Sequence, residues 1–335
     1  MDAPEDAGSP HSAWAIAARI VAALFVAGAF IAIDQIWIED DPIPDRFGAT
    51  VKTFEIESDL LDRTLAAKVV VPKKAPPKNR SLLVFLHGRG EDERSYLVEP
   101  MFKALDGLAG RAPVVAFPFG GNSSYWHDRE TGDWASYVLE EVIPQIVVRY
   151  DIDPDRIAIG GISMGGFGAY DIARLDPDRF CAVGGHSPAI WESAGETADG
   201  AFDDSDDFED NDVISIAGST DPSPYAGLRL WLDAGDDDPF LDADEAFEQA
   251  LREGGARPVV KRSNGGHDSG YWNGNWDEYF AFYAHALNVC EVGDEEEAKE
   301  DPGPPQGARA EGAGEGAGTS GSSSRRNRGA SRSGG

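Results

Sequence analysis

The chain has 335 residues and a formal net charge of −31, from 60 acidic against 29 basic side chains. That balance argues against binding a nucleic-acid backbone and disfavours docking on an anionic lipid surface, while it suits solubility at high salt. The length leaves room for one sizeable α/β domain. Two cysteines, Cys181 and Cys290, make no disulfide framework, so two free thiols are expected.

Residues 1–12 form a short amino-terminal segment, and residues 13–33 are apolar except for Arg19. A run of about 20 such residues spans a bilayer as a helix. Arg19 near one end, with Asp34, Glu39, Asp40 and Asp41 beyond the other, predicts a membrane anchor with the rest of the chain outside the cytoplasm. The alternative is a cleaved signal ending near Ala27-Gly28-Ala29, which would make the protein secreted, but the region before Arg19 is acidic rather than basic. Residues 34–50 read as a linker. Over residues 51–293 two strand-like segments (51–57 and 64–71) lead into strand–helix alternation. That pattern predicts an α/β fold with a mostly parallel sheet flanked by helices. Residues 294–335 turn acidic, then rich in Gly, Ala and Ser, and hold too few apolar residues to bury a core; a disordered tail is expected.

The most informative stretch is Gly161-Ile162-Ser163-Met164-Gly165. It follows an apolar strand-like run (Arg156-Ile157-Ala158-Ile159) and precedes a helix start (Gly166-Phe167-Gly168-Ala169). A serine on a tight strand-to-helix turn is a presented nucleophile, and the glycines leave room where side chains would collide. A serine needs an imidazole to take its proton and a carboxylate to hold that imidazole. Both follow in the order Ser, Asp, His. Residues 228–235 read as a strand ending at Asp236-Asp237-Asp238, and residues 258–261 as another before Gly265-Gly266-His267. His285 falls in an apolar helical pattern and is expected to pack in the core. Asp233, Asp236, Asp237, Asp242 and Asp244 compete with Asp238 for the acid's role.

With Asp176-Pro177-Asp178-Arg179-Phe180 after it, Gly160-Gly161-Ile162-Ser163-Met164-Gly165-Gly166-Phe167-Gly168-Ala169 resembles the esterase D-like esterase branch of the α/β-hydrolases. That branch includes S-formylglutathione hydrolases, feruloyl esterases and mycolyltransferases, and is related to the phospholipase/carboxylesterases. The resemblance implies an α/β-hydrolase fold over roughly residues 50–290. It selects Asp238, the third residue after Gly235, as the acid. Leu86-His87-Gly88-Arg89-Gly90 resembles the family's oxyanion loop. Oxyanion donors are then expected from the N–H groups of Met164 and Arg89, while His87 is structural.

Aromatic residues in the 125–134 loop, Trp126 among them, either line a substrate pocket or pack in the core; Trp126 is taken as a substrate-binding candidate. Trp272 and Trp276 invite the same two readings. The acidic run 202–212 lacks the glycine and final glutamate of a calcium loop and reads as a solvated face or cap segment. No cofactor or metal is expected. The implied function is a serine ester hydrolase acting on a small-molecule or carbohydrate ester. The alternatives are an acyltransferase with the same triad and a non-catalytic surface protein with this fold.

Overall fold

The runs Leu82-Leu83-Val84-Phe85-Leu86 and Ile157-Ala158-Ile159 are continuously apolar and buried, and since successive side chains point to opposite faces, the sheet they form must be covered on both. The computed structural model describes residues 44–219 and 222–290. The segment 13–33 and the tail 294–335 lie outside the described residues. Among the described residues, no helix is long and apolar enough to cross a membrane.

The strands are β1 (Thr50–Ser58), β2 (Arg63–Val71), β3 (Arg80–Leu86), β4 (Val114–Pro118), a two-residue hairpin pair β5 (Asp128–Arg129) and β6 (Gly132–Asp133), β7 (Ile152–Ile162), β8 (Ala182–His186), β9 (Arg229–Gly235) and β10 (Val259–Ser263). Eight of them form one sheet in the order β1-β2-β4-β3-β7-β8-β9-β10. The pairs β1/β2 and β2/β4 are antiparallel, and every pair from β4 to β10 is parallel. The carboxyl ends of β3, β7, β8, β9 and β10 therefore share one edge, where a strand–helix sheet collects its functional loops.

The helices that cover the sheet or border that edge are α1 (Glu99–Gly107), α2 (Ile143–Tyr150, entered through a π-helical Tyr137–Val142), α3 (Met164–Leu175), α4 (Ser205–Asp210), α5 (Val213–Ser219), α6 (Leu241–Glu253) and α7 (Ser269–Asn288). Leu82, Val84, Leu86, Ile157 and Ile159 face α2 and α3 in one buried cluster. The intervening Leu83, Phe85 and Ala158 pack on the other side against Met101 and Phe102 of α1 and Trp276, Phe280 and Tyr283 of α7. Tyr283 reaches across the sheet because β7 has no side chain there: a Cβ on Gly160 would fall 1.8 Å from its hydroxyl.

Two expectations are corrected by the fold. Cys181, just ahead of β8, and Cys290, just past α7, form a disulfide across a sequence separation of 109 residues. Their spacing gave no sign of this because the intervening chain crosses three strands before returning. His285 is exposed on the outer side of α7, not packed in the core. Its neighbours Tyr283, Ala284, Ala286 and Leu287 are buried, and the helical turn carries His285 away from them.

The acidic run becomes a short capped helix. Asp204 accepts the N–H groups of Asp206 and Asp207 at the start of α4. Arg129 binds Asp203 (Nε to Oδ1, 2.9 Å) and the carbonyls of Gly200 and Ala201, while buried His127 meets Asp207 at 3.1 Å. The acids therefore fasten the segment between β8 and β9 onto the 123–130 loop.

Candidate active site

Ser163 adopts φ 57° and ψ −118° between β7 and α3. A serine in that region costs about 1–3 kcal/mol and persists only where its surroundings hold it. Its N–H donates to the His186 carbonyl at 3.0 Å, and its carbonyl accepts from Gly166, Phe167 and Ala189. The turn closes only without side chains beneath it: a Cβ on Gly165 would lie 2.1 Å from the Leu86 carbonyl oxygen.

From β9 and β10 come the partners. Ser163 Oγ donates to His267 Nε2 at 2.8 Å. On the far side, His267 Nδ1 donates to Asp238 Oδ2 at 3.0 Å and lies 3.2 Å from Oδ1. With Nδ1 carrying the proton, Nε2 is left as the acceptor a general base requires. Asp238 Oδ1 also accepts the Phe240 N–H at 3.0 Å. The Asp238 side chain is fully buried, whereas that of His267 is 19% exposed. Burial pushes the Asp238 pKa up, but hydrogen bonds from His267 and Phe240 N–H outweigh it and hold the carboxyl below its ordinary value.

The competing acids are placed elsewhere. Asp236 and Asp237 point to solvent while their N–H groups bond the carbonyls of Ser263 and Gly265, tying the acid loop to the histidine loop. Asp233 is buried, and its carboxylate accepts from His186 Nδ1 (2.7 Å), Trp231 Nε1 (2.6 Å), Tyr271 Oη and Tyr279 Oη (2.9 Å each). Four donors leave it nothing for His267. This network joins β8, β9 and the first turns of α7, the elements beside His267 and Asp238; no spacing in the sequence announces it.

Asp244, on the first turn of α6, is 0% exposed, and among the described residues neither of its carboxylate oxygens meets a hydrogen-bond donor. Burial, then the nearby Asp238 charge, raises its pKa well above the ordinary value, with Arg262 offsetting part of the rise. The native state thus holds a proton that the unfolded chain releases above the usual carboxylate range. Its contribution to stability is full below that range and is lost as pH rises towards the folded value. Asp244→Asn should therefore raise the melting temperature more at about pH 8 than at about pH 5. Equal changes at both would show that Asp244 is ionised in the native state.

The loop after β3 crosses Ser163: a Cβ on Gly88 would lie 3.5 Å from the Ser163 Cβ. Its polar groups are nearly all engaged. The His87 carbonyl accepts Trp126 Nε1 (3.1 Å). Gly88 N–H goes to Glu91 Oε2 (2.8 Å) and Tyr96 Oη (3.1 Å), and the Gly88 carbonyl accepts His87 Nδ1 (2.8 Å) and Glu91 N–H (3.2 Å). Gly90 N–H goes to the Asn122 carbonyl at 2.8 Å. Among the described residues the Arg89 N–H is left without a protein acceptor, as is the Met164 N–H at the start of α3. His87 is buried, accepts the Gly120 N–H at Nε2 (3.0 Å), and has its pKa lowered by desolvation, so a neutral ring props the loop.

Trp126 is corrected as a substrate-binding residue. It is 0% exposed, and its ring fills the space over Gly120 and Gly168. It supports the loop at His87 from beneath and offers no face to a ligand. Tyr125, Trp134 and Trp276 are buried too. The aromatic groups at the mouth are half-buried Trp191, Phe240 and Trp272. Phe240 and Trp272 flank the His267 ring at 5.0 and 5.3 Å, and Trp191 packs on Phe240 at 5.5 Å. Sequence reasoning singles out Trp272, but not Trp191 or Phe240. Arg89 is exposed, with its Nη2 on the Asp199 carbonyl at 3.0 Å.

Comparison with known proteins agrees with this architecture. The family model described as "Putative esterase" matches residues 58–287, well over half of the chain. An S-formylglutathione hydrolase of Bos taurus is 27% identical over 258 residues, covering 68% of this chain and 89% of that protein. An esterase of Mycobacterium tuberculosis is 22% identical over 225 residues, 56% of this chain; the match spans only 48% of that protein's length. Among solved structures, a ferulic acid esterase superposes with a TM-score of 0.63 at 26% identity, covering 71% of this chain and 99% of its own.

Proposed function

We propose that this chain, which belongs to the esterase family of the α/β-hydrolase superfamily, hydrolyses carboxylic esters through an acyl-enzyme formed on Ser163. The observation that carries the reading is the continuous relay from Ser163 Oγ through His267 to buried Asp238, at 2.8 and 3.0 Å. Ser163 Oγ attacks the ester carbonyl while His267 Nε2 takes its proton. Asp238 keeps the imidazole in the accepting tautomer and stabilises the imidazolium. The N–H groups of Met164 and Arg89 receive the oxyanion, and the positive end of α3 adds to that stabilisation. His267 then protonates the leaving alcohol, and water attacks the acyl-enzyme with His267 again as base. The half-buried rings of Trp191, Phe240 and Trp272 favour a small ester with an apolar or planar group beside the reacting carbonyl.

The proposed setting is outside the cytoplasm. The apolar run at residues 13–33 supports a membrane tether, and the Cys181–Cys290 disulfide supports an oxidising compartment.

The test is hydrolysis of p-nitrophenyl esters from acetate to decanoate by the wild type and Ser163→Ala. The wild type should turn over the shorter esters, and the variant should lose about 10⁶-fold in kcat. With an added alcohol or sugar acceptor, mass spectrometry of the products should show free acid as the main species; acylated acceptor as the main species would make the protein an acyltransferase. Equal activity in wild type and variant would dismiss Ser163 as nucleophile.

A further inference from the structure

Glu91 lies three residues beyond Gly88 and outside the relay, yet its side chain and its backbone both hold the loop over Ser163. Its Oε2 accepts the Gly88 N–H at 2.8 Å and the Tyr96 hydroxyl, and that hydroxyl is itself 3.1 Å from the same N–H. Tyr96 is 6% exposed and wedged against Phe85 and Trp276, so the arrangement is anchored in the core. A Cβ on Gly88 would lie 2.8 Å from Glu91 Oε2 and 3.5 Å from Ser163 Cβ, so this glycine sits sandwiched between carboxylate and nucleophile.

We propose that Glu91 is a positioning residue for the oxyanion site: its carboxylate draws the Gly88 N–H away from Ser163, so that the next peptide presents the Arg89 N–H instead. This deepens the hydrolase reading and rests on it. The geometry gives two reasons. Gly88 to Glu91 is a tight turn, closed by Glu91 N–H on the Gly88 carbonyl with Gly90 at φ 75°, so fixing Gly88 N–H towards Glu91 also fixes the corner from which Arg89 presents its N–H. In addition, the carbonyl of the Gly88–Arg89 peptide accepts both His87 Nδ1 (2.8 Å) and Glu91 N–H (3.2 Å). Bonds accepted at a peptide carbonyl polarise the unit and strengthen its N–H as a donor. Without the carboxylate, Gly88 N–H has only Tyr96 Oη, and the orientation of the Gly88 amide is held less firmly. A donor misplaced by about 1 Å costs roughly 10²-fold in rate, which bounds the effect from above.

The experiment measures kcat and KM on a p-nitrophenyl ester, and the affinity for a trifluoromethyl ketone, whose adduct with the serine carries an oxyanion. Wild type, Glu91→Ala, Glu91→Gln and Tyr96→Phe are compared. Glu91→Ala should lower kcat by about 10- to 100-fold with KM within about twofold, and weaken the ketone in the same proportion. Glu91→Gln, which keeps an acceptor for Gly88 N–H, should recover most of the loss. If Glu91→Ala does not fold, Tyr96→Phe reads the same contact, with a loss of about threefold in kcat and in ketone affinity. Wild-type kcat in Glu91→Ala, or in Tyr96→Phe where that variant stands in, overturns the proposal while leaving the hydrolase reading intact. So does a fall in kcat with ketone affinity unchanged. A folded wild type that neither hydrolyses esters nor binds the ketone overturns both.

Discussion

Asp238→Asn should lower kcat by about 10⁴-fold, with little change in KM, whereas Asp236→Asn and Asp237→Asn should stay within about twofold of wild type. The three aspartates are consecutive, so the contrast isolates geometry from composition. Asp238 is buried against His267 Nδ1; its two neighbours point to solvent and contribute only backbone hydrogen bonds. An asparagine at 238 presents an amide that can itself donate to Nδ1. The imidazole then carries its proton on Nε2 and cannot accept one from Ser163. More than a tenth of wild-type kcat in Asp238→Asn would show that another group orients His267.

The largest stability effect is expected from the disulfide. Cys181→Ser/Cys290→Ser should destabilise the domain by about 2–4 kcal/mol, since it frees a long closed loop in the unfolded chain. For a domain of this size that is a fall in melting temperature of about 5–15 °C. The bond ties the carboxyl end of α7 to the amino end of β8. The opposite end of α7 is capped by Asp268, directly after His267, through the N–H groups of Gly270 and Tyr271. The double variant should therefore stay folded and active at room temperature but lose activity on heating at a lower temperature than wild type. An unchanged melting curve, together with two titratable thiols in unreduced wild type, would contradict the pairing.

What the sequence made legible is what local chemistry dictates. The elbow at Ser163 needs glycines in register with a strand and a helix, and the carboxyl edge of a parallel sheet gathers the loops after β9 and β10. The strands and the order serine, aspartate, histidine were readable for that reason. The contacts that stayed hidden are non-local. Cys181 and Cys290 meet only after the chain has crossed the sheet. The four donors on Asp233 come from three different elements. Trp126 resembled a pocket residue because loop aromatics often are, but the glycines at 120 and 168 make a slot that swallows its ring. Glu91 looked like one more acid in an acidic chain; only the fold shows Gly88 N–H and the Tyr96 hydroxyl meeting on one of its oxygens.

The most direct test of the central claim is reaction with a fluorophosphonate followed by intact-mass and peptide mass spectrometry. An activated Ser163 predicts one adduct per chain, located on the peptide that contains Ser163, and none in Ser163→Ala or on unfolded wild type. No adduct on the folded protein, or an adduct on a different residue, would contradict it.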